Sequence, residues 1–469
     1  MDEFDVIVLG AGSTGENVAD YAVQGGLTAA VVEFERVGGE CSYFACMPSK
    51  ALLRGADALR AARAVQGAAE AVTGSLDVPE TFARRDAFTH NWNDSSQVDW
   101  LDSVGIALYR GHGRIVGERL VDVDGTQIRA RHAVVVCTGS SARIPDIPGL
   151  AMIGPWTSRE ATSSHAVPGR LAVLGAGAVG VEMATAYHEF GSQVTLLNSK
   201  SGLLPRLEPF AGAAVEKALR DRGVEIRNDV TVNSVSKAKD GTITVESDSG
   251  TSLVDEFLVA TGRIPNTTDI GLEMLGHEPG KPLRVDGSGQ ASDGWLYAAG
   301  DVTGAAQLTH MGKYAGRICG TAIAAKARGQ AVDQTPYSEH SASAFDGAVP
   351  AVVFTDPAVA SVGRTEAEAR AAGISVRTVE YDMGSIAGAS VYADGYSGRA
   401  KLIVDDARDV LVGATFVGPD AGELLHAATV AIVGEVPMSR LWHAVPSYPT
   451  ISEVWLRLLE TDRRNQVNA

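Results

Sequence analysis

Cys41 and Cys46 lie five residues apart in the segment GGECSYFACMPSK, directly before an amphipathic stretch that predicts a helix. Five residues of regular helix would rise about 7.5 Å, which is beyond the usual Cα separation of a disulfide. A bond between these cysteines therefore requires an irregular turn, which the entering glycines and Pro48 favour. Because a helix N-terminus favours thiolate, we expect a redox-active pair here rather than a structural staple.

Other uses of this pair remain open at this point. Two nearby cysteines also suit zinc, although the sequence has no second cysteine or histidine pair at ligand spacing, and no resident metal is expected. Inert buried thiols are the other alternative. Cys137 and Cys319 are expected to be buried structural thiols. Four cysteines in 469 residues are too few for a secreted disulfide framework, so we expect a reducing, cytoplasmic setting.

The chain begins with a strand, a glycine-rich turn, a helix and a second strand. Residues 5–33 read DVIVLGAGSTGENVADYAVQGGLTAAVVE. Gly10 permits a tight turn, Gly12 lets the backbone approach a pyrophosphate, and Gly15 allows the helix to pack closely on the strand. Glu33 ends the second strand, where an acid accepts hydrogen bonds from ribose hydroxyls. This pattern predicts a dinucleotide-binding unit.

The same pattern recurs 165 residues later, in RLAVLGAGAVGVEMATAYHEFGSQVTLLN at 170–198. Its three glycines are Gly175, Gly177 and Gly180. The position equivalent to Glu33 is Asn198, followed by Ser199 and Lys200. Without the carboxylate a 2′-phosphate meets no repulsion, and Lys200 offers a positive charge, so the pattern favours NADPH over NADH. A solvated surface lysine is the alternative reading of Lys200.

Composition excludes several classes of function. The chain has 40 basic and 57 acidic residues, a formal charge of −17, which argues against duplex nucleic acid or an anionic membrane surface as partner. Its apolar runs are shorter than the roughly 18 residues that indicate a membrane span. The acidic start runs straight into a strand, so no signal peptide is expected. Small molecules or proteins are the expected partners.

Together these motifs resemble the FAD-dependent pyridine nucleotide–disulfide oxidoreductases of the lipoamide dehydrogenase, glutathione reductase and mercuric reductase type. The resemblance covers essentially the whole chain. The family's GGTCxxxGCxPSK appears here as GGECSYFACMPSK. Further motifs that match the family in order are CTG at 137–139, ATGRIPN at 260–266, YAAGDV at 297–302 and VVFTDP at 352–357.

The resemblance implies an α/β fold with two Rossmann-like domains and a C-terminal α+β dimerisation domain. The FAD domain is expected at 1–152 and 279–340, the NAD(P) domain at 153–278, and the interface domain at 341–469. A homodimer is implied because the family's site is completed by the C-terminal segment of the partner subunit.

Individual roles also follow from the resemblance. The first glycine turn and Glu33 are expected to bind FAD, and the second turn, with Asn198, Ser199 and Lys200, the nicotinamide nucleotide. Cys46 is the expected flavin-facing thiol and Cys41 the interchange thiol that attacks the acceptor. Lys50 is expected near flavin N5, paired with Glu182, with Asp301 on the ribityl chain. The other expected cofactor contacts are Gly39, Thr138, Gly139, Gly262, Arg263 and Gly300.

The sequence departs from the family at the C-terminal site. Tyr448 stands where the family has its catalytic histidine, whereas Glu453 matches the family's glutamate. Tyr448 and Glu453 are expected to face the partner subunit's cysteine pair. A tyrosine with an ordinary pKa near 10 is a poor base at neutral pH. His443 is a candidate substitute for the missing histidine, but we favour the interpretation that it lies at the surface. Glu40 replaces a threonine beside Cys41 and is expected to oppose thiolate formation.

We therefore expect an enzyme that passes electrons from NAD(P)H through FAD and the Cys41–Cys46 disulfide to a disulfide or thiol-reactive acceptor. The alternative is an NAD(P)H-dependent reductase of quinones or of mercuric or cupric ions, which does not need the missing histidine. The tail 461–469 contains no cysteine pair, which speaks against a dedicated mercuric reductase. A non-enzymatic NAD(P)H-binding protein is the third and least supported class.

Overall fold

Residues 6–9 form the centre of a parallel sheet in the computed structural model, which describes residues 1–468. All four are apolar and at most 2% exposed, as expected for a strand that is covered on both faces. Strand Asp2–Leu9, to which they belong, pairs in parallel with Ala29–Glu33 on one side and with Thr126–Val136 on the other. The predicted strand–turn–helix–strand unit is therefore present.

The described chain divides into two compact units. The first comprises Met1–Pro48, Arg85–Arg143 and Gly262–Phe345. The second comprises Ser49–Arg84, Ile144–Thr261 and the described residues from Asp346 onward. The expected three-domain boundaries, 1–152 with 279–340, 153–278 and 341–469, stay a prediction.

The first unit is built on a seven-stranded mixed sheet. Six of its strands follow one another in the spatial order Ile106–Arg110, Ala29–Glu33, Asp2–Leu9, Thr126–Val136, Leu120–Val123 and Gly113–Gly117. Leu296–Ala298 also pairs in parallel with Thr126–Val136. Ser140–Ala142 and Arg263–Pro265 form a separate antiparallel pair. The helices that lie in this unit or begin in it are Ser13–Gln24, Gly39–Tyr43, Cys46–Arg63, Ser95–Ser103 and Thr309–Ala327.

Two helices of the first unit pack through glycines. A Cβ atom at Gly316 would lie 2.8 Å from the Thr14 carbonyl oxygen, and one at Gly320 would lie 2.6 Å from that of Val18. Helix Thr309–Ala327 therefore lies directly on helix Ser13–Gln24, and its rotation about its own axis is determined by these contacts. This packing determines which face the start of the later helix presents to the cysteine pair.

The second unit contains the repeated nucleotide-binding sheet and the C-terminal sheet. The parallel strands, in spatial order, are Glu225–Arg227, Gln193–Leu197, Arg170–Leu174 and Glu256–Val259. An antiparallel sheet of Val232–Lys237, Ile243–Ser247 and Gly250–Val254 follows along the chain. The helices of this part are Leu150–Ile153, Ser158–Ser163, Ala178–Glu189 and Pro209–Asp221, and helix Val78–Phe88 begins in the second unit.

The C-terminal part is a five-stranded antiparallel sheet with helices. Its strands, in spatial order, are Pro350–Val353, Val359–Gly363, Val410–Val417, Arg399–Asp405 and Val376–Asp382. Its helices are Glu366–Ala371, Ala387–Tyr392, Ala421–Val433, Met438–Leu441 and Glu453–Asn468. Two Rossmann-type sheets followed by an α+β part confirm the predicted fold class.

Candidate active site

The first glycine turn has the geometry that a dinucleotide needs. Gly10 has a φ of +95°, and a Cβ atom there would lie 2.5 Å from the Cys137 carbonyl oxygen. A Cβ at Gly15 would lie 1.9 Å from the Gly10 carbonyl oxygen, and one at Gly39 would lie 2.9 Å from the Gly12 Cα. Side chains at these three positions would therefore collide with neighbouring backbone, so the close packing of this turn requires glycine. Gly12, its N-cap, makes no side-chain capping hydrogen bond, which leaves the first N–H groups of the helix for a pyrophosphate.

Glu33 completes this turn from the end of its strand. The side chain is 7% exposed and accepts hydrogen bonds from the backbone N–H groups of Ala11 and Glu35, each at 2.8 Å. Burial raises the pKa of this carboxyl, while the two N–H groups act in the opposite direction. The acid is thus held firmly at the turn, where ribose hydroxyls fit its remaining acceptor capacity.

The second glycine turn repeats this geometry. A Cβ at Gly180 would again lie 1.9 Å from the Gly175 carbonyl oxygen, the same separation as between Gly15 and Gly10. At Gly177 a Cβ would meet no atom within 4 Å, so the space in front of helix Ala178–Glu189 is open. The residues present fit a second dinucleotide.

Asn198 stabilises the loop that follows the second unit. Its side-chain nitrogen donates to the carbonyl oxygens of Lys200 and Gly202 and to Asn228 Oδ1, at 2.9 to 3.0 Å. Its oxygen accepts from the Lys200 N–H at 3.1 Å. Because the amide group is engaged within the loop, the exposed side chains of Ser199 and Lys200 are the ones available to a ligand.

The cysteine pair lies where one short helix ends and a longer one begins. Cys41 is in helix Gly39–Tyr43, and Cys46 is the first residue of helix Cys46–Arg63. At Phe44 between them the φ is −136°, so the two cysteines do not lie on one regular helix. This break brings the Cys41 thiol within hydrogen-bonding reach of Cys46, and no disulfide joins them. The irregular turn that the sequence required is therefore located between the two cysteines.

The aromatic residues between the cysteines pack into the first unit. Tyr43 is 1% exposed, and its hydroxyl group hydrogen-bonds Gln97. The Arg36 guanidinium lies 6.0 Å from the centre of the Tyr43 ring and 5.5 Å from that of Phe44. Trp92 Nε1 donates to the Tyr43 carbonyl oxygen at 3.1 Å. These contacts stabilise the irregular turn from the side of residues 92–97.

Helix Thr309–Ala327 contributes a polar group to the cysteine pair. Thr309 Oγ1 lies 3.2 Å from Cys46 Sγ and also hydrogen-bonds Cys41. Lys313 follows one turn later on the same helix face, and its side chain is exposed. Neither residue was among those predicted from the sequence, because nothing in the local pattern links them to cysteines more than 260 positions away.

The surroundings of Cys41 make its thiol difficult to ionise. The hydrogen bond to Cys46 raises the pKa of the Cys41 thiol well above its usual range, and burial acts in the same direction. Thr309 and Lys313 oppose this shift. Two thiols that interact in this way titrate as a coupled pair, so the raised pKa of Cys41 depends on the charge state of Cys46.

Glu40 lies in a charged network rather than alone. Its Oε2 lies 3.7 Å from the Arg263 guanidinium, and Arg263 Nε donates to Ser140 Oγ at 2.6 Å. Ser140 in turn donates to Asp301 Oδ2 at 2.6 Å. Arg263 offsets part of the negative charge of Glu40, and the expectation that Glu40 opposes thiolate formation stays a prediction. Ser140 directly follows Gly139 in the CTG motif, a signal that sequence reasoning passed over.

The two motifs at 137–139 and 260–266 meet in the first unit. Thr138 Oγ1 donates to the Asn266 carbonyl oxygen at 2.6 Å, and Asn266 Nδ2 donates back to the Thr138 carbonyl oxygen at 2.9 Å. The Asn266 N–H donates to the Gly139 carbonyl oxygen at 3.0 Å. The matching residues Gly262, Arg263 and Gly300 also lie in this unit.

Lys50 and Glu182 form an ion pair within the second unit. Lys50 Nζ lies 2.8 Å from Glu182 Oε2, and Glu182 is 4% exposed. The other oxygen, Oε1, accepts from the Phe354 N–H at 2.9 Å, and the Phe354 ring lies 4.8 Å from Lys50 Nζ. Lys50 is four residues after Cys46 on helix Cys46–Arg63, so both face the same side of it.

The C-terminal residues are arranged differently from the family pattern. Tyr448 is 75% exposed, and His443 is exposed as well. Glu453 is 4% exposed, and its Oε1 accepts from Arg457 Nη2 at 2.7 Å. Within residues 1–468, Glu453 Oε2 is buried without a hydrogen-bond partner. Arg457 is the charge partner of this acid, and sequence reasoning did not predict it, although the spacing of four on a helix is a readable signal.

Comparison with known proteins finds a family and relatives that match most of this chain. The pyridine nucleotide-disulphide oxidoreductase family matches residues 4–328, and its dimerisation domain matches residues 349–458. Mercuric reductase of Staphylococcus aureus is 30% identical over 96% of this chain and 81% of its own length. Dihydrolipoyl dehydrogenase of Thermus scotoductus is 30% identical over 100% of this chain and 99% of its own.

A solved structure has the same fold. The Cu(II) complex of the HOCl-induced flavoprotein disulfide reductase RclA from Escherichia coli superimposes with a TM-score of 0.83. The identity is 25%, and the match covers 98% of this chain and 99% of that one. Among the described residues, no helix is long and apolar enough to cross a membrane.

Two dinucleotide turns, a dithiol and a dimerisation sheet define an NAD(P)H-dependent flavoprotein disulfide oxidoreductase that uses FAD. The chain belongs to the pyridine nucleotide-disulphide oxidoreductase family.

Proposed function

We propose that the chain reduces a disulfide or another thiol-reactive acceptor through a Cys41–Cys46 relay. The observation that carries this proposal is the break between the two helices, which brings the sulfurs of Cys41 and Cys46 together beside Thr309. For a disulfide acceptor the balance is NAD(P)H, one proton and the acceptor disulfide giving NAD(P)⁺ and two thiols. Bound FAD supplies the two-electron transfer from the nicotinamide to the cysteine pair.

The chain's own residues have distinct tasks in this proposal. The turn at Gly10, Gly12 and Gly15 holds the FAD pyrophosphate, with Glu33 on the ribose. Asp301, which accepts a hydrogen bond from Ser140, would bind the ribityl hydroxyls in this proposal.

The ion pair and the two thiols have separate roles. Lys50, held by Glu182, supplies positive charge where negative charge develops on the flavin. In the reduced pair Cys46 is the thiolate and Cys41 holds the proton. Cys41 then attacks one sulfur of the acceptor disulfide, whose S–S bond breaks, and the proton of Cys41 goes to the departing sulfur. The Cys46 thiolate attacks the Cys41 sulfur of the mixed disulfide, which forms the Cys41–Cys46 disulfide again and releases the second thiolate, which takes a proton from water.

The nicotinamide nucleotide is proposed to bind at the turn of Gly175, Gly177 and Gly180, with NADPH preferred. Asn198 carries no charge and keeps the adjacent loop in place, while Ser199 and Lys200 are exposed to a 2′-phosphate. A comparison of kcat/KM for NADPH and NADH tests this preference, and a clear preference for NADH would exclude it.

The Cys41→Ser variant tests the relay. Because serine cannot form the disulfide, reduction of lipoamide or glutathione disulfide is expected to fall by about 10²-fold or more. Cys137→Ala is the matched control, since it removes a buried thiol outside the pair. If Cys41→Ser kept full turnover with every acceptor, the relay would be wrong.

A second candidate function is the reduction of quinones or metal ions. Tyr448 favours it, because a quinone or a metal ion does not need the acid–base residue that tyrosine replaces poorly. The relatives named mercuric reductase and the RclA complex with Cu(II) are consistent with metal-ion acceptors. The Cys41→Ser variant distinguishes quinone reduction from disulfide reduction. Because the flavin would reduce a quinone directly, the variant is expected to turn over a quinone at the wild-type rate.

A further inference from the structure

Cys41, the proposed interchange thiol, must ionise in surroundings that oppose its ionisation. Contact with Cys46 and burial both raise the pKa of Cys41, yet this thiol must ionise to attack an acceptor. The position where the resemblance to disulfide reductases implies a histidine holds Tyr448, which is a poor base at neutral pH. A hydrogen bond from Thr309 and a cation near Cys41 are two ways to favour its thiolate.

Most charged groups near the pair are already balanced. Glu40, next to Cys41 in the chain, lies 3.7 Å from Arg263. Arg263 in turn hydrogen-bonds Ser140 and lies 3.9 Å from Asp301. The positive charge of Arg263 is therefore shared between two carboxylates and contributes little net charge at Cys41.

Lys313 is placed differently. It lies one turn after Thr309, the residue whose hydroxyl contacts both sulfurs, and on the same face of helix Thr309–Ala327. The neighbouring Gly312 and Gly316 lie against helix Ser13–Gln24, which fixes the rotation of the helix. Across the described residues, no carboxylate lies within ion-pair distance of Lys313. Its positive charge favours the ionised form of Cys41 and also that of the partly buried Glu16 on the neighbouring helix.

We propose that Lys313 supplies positive charge that, together with the Thr309 hydroxyl, stabilises the Cys41 thiolate in a site that has Tyr448 instead of a histidine base. Thr309 contacts both sulfurs, and Lys313 adds positive charge from the same helix face. Lys313 is thus a residue that tunes the nucleophile through space. The inference rests on the proposed dithiol relay and adds the residue that makes Cys41 reactive near neutral pH.

The test is alkylation of the NADPH-reduced holoenzyme by iodoacetamide, a neutral reagent, between pH 6 and 9. Peptide mass spectrometry identifies modification at Cys41. In Lys313→Met the rate at pH 7 is expected to fall about three- to tenfold, and the midpoint of the pH profile is expected to move to higher pH. Lys313→Arg keeps the charge and is expected to stay within twofold of wild type.

Lys281→Met is the matched control, because it removes an exposed lysine of the same unit whose partner is Glu278. Lys313→Gln is a second neutral variant, and the flavin absorbance of each protein reports its folding. A wild-type pH profile in both neutral variants would overturn the role of Lys313. If NADPH released no new thiols in wild type, the proposed dithiol relay would be wrong. This outcome is distinguishable from an unchanged pH profile, which would contradict only the role of Lys313.

Discussion

Glu16 is a partly buried acid beside the first dinucleotide turn. Burial raises its pKa to about 7 from the ordinary 4.5, while Lys313 opposes the shift and Glu33 adds to it. Its Oε1 has no hydrogen-bond partner within residues 1–468. Because the folded state holds a proton between pH 4.5 and 7 that the unfolded chain releases, stability is lost as pH rises through this interval. The linked free energy is about 3 kcal/mol.

Glu16→Gln removes this titration while keeping the size of the side chain. We expect the Tm of the wild-type holoenzyme to fall more between pH 5 and pH 8 than that of the variant, as measured by differential scanning calorimetry. Glu273→Gln, at an exposed acid in the same unit, serves as the control and is expected to follow wild type. Parallel Tm curves for wild type and Glu16→Gln would contradict the assignment.

At the scale of elements, one buried lysine joins three parts of the second unit. Lys401, on strand Arg399–Asp405, is 5% exposed and lies 2.8 Å from both Glu208 and Glu366. Glu208 is the N-cap of helix Pro209–Asp221 and is 3% exposed, and Glu366 begins helix Glu366–Ala371. The Glu366 N–H also donates to Glu208 at 2.7 Å. The lysine therefore balances two acids at the starts of two helices.

Lys401→Met leaves these acids without their cation. Breaking a buried ion pair by removing one partner costs about 3–5 kcal/mol, because the remaining charge is uncompensated. Unfolding in urea is expected to show a loss of this size, whereas Lys239→Met, at an exposed turn position, is expected to change the free energy of unfolding by less than about 0.5 kcal/mol. A loss below about 1 kcal/mol for Lys401→Met would show that the three elements do not depend on this contact.

Sequence reasoning worked best where structure is local. The glycine turns were readable because Gly10 and Gly175 need positive φ, and because the spacing to the packing glycines is short. The fold class followed from two such units and the ordered motifs. Burial of Cys137 and Cys319 was also predicted and is confirmed.

The parts that escaped prediction depend on tertiary contacts. Thr309 reaches Cys46 only because glycines let its helix lie on helix Ser13–Gln24, and no local pattern encodes that distance. The charge of Glu40 was judged without Arg263, which is more than 220 residues away. Local sequence shows which groups are present, whereas the net charge at a site is a property of the folded arrangement.

At the scale of the whole molecule, the account describes a path for two electrons from nicotinamide nucleotide to acceptor. The family's dimerisation domain at 349–458 supports a homodimer. We expect Tyr448 to face the cysteine pair of the partner subunit, which would place the acceptor between subunits. Glu453, which was expected beside it, is 4% exposed and covered by its own chain. The 75% exposure of Tyr448 in the single chain is consistent with such a position.

The most direct test of the relay is anaerobic titration of the holoenzyme with NADPH, followed by visible absorbance. If Cys46 is the flavin-facing thiolate, wild type is expected to develop a long-wavelength thiolate-to-flavin band after two electrons, together with two new thiols. In Cys46→Ser this band is expected to be absent, although NADPH still bleaches the flavin. Bleaching of wild type without the band and without new thiols, or an identical band in Cys46→Ser, would contradict the account.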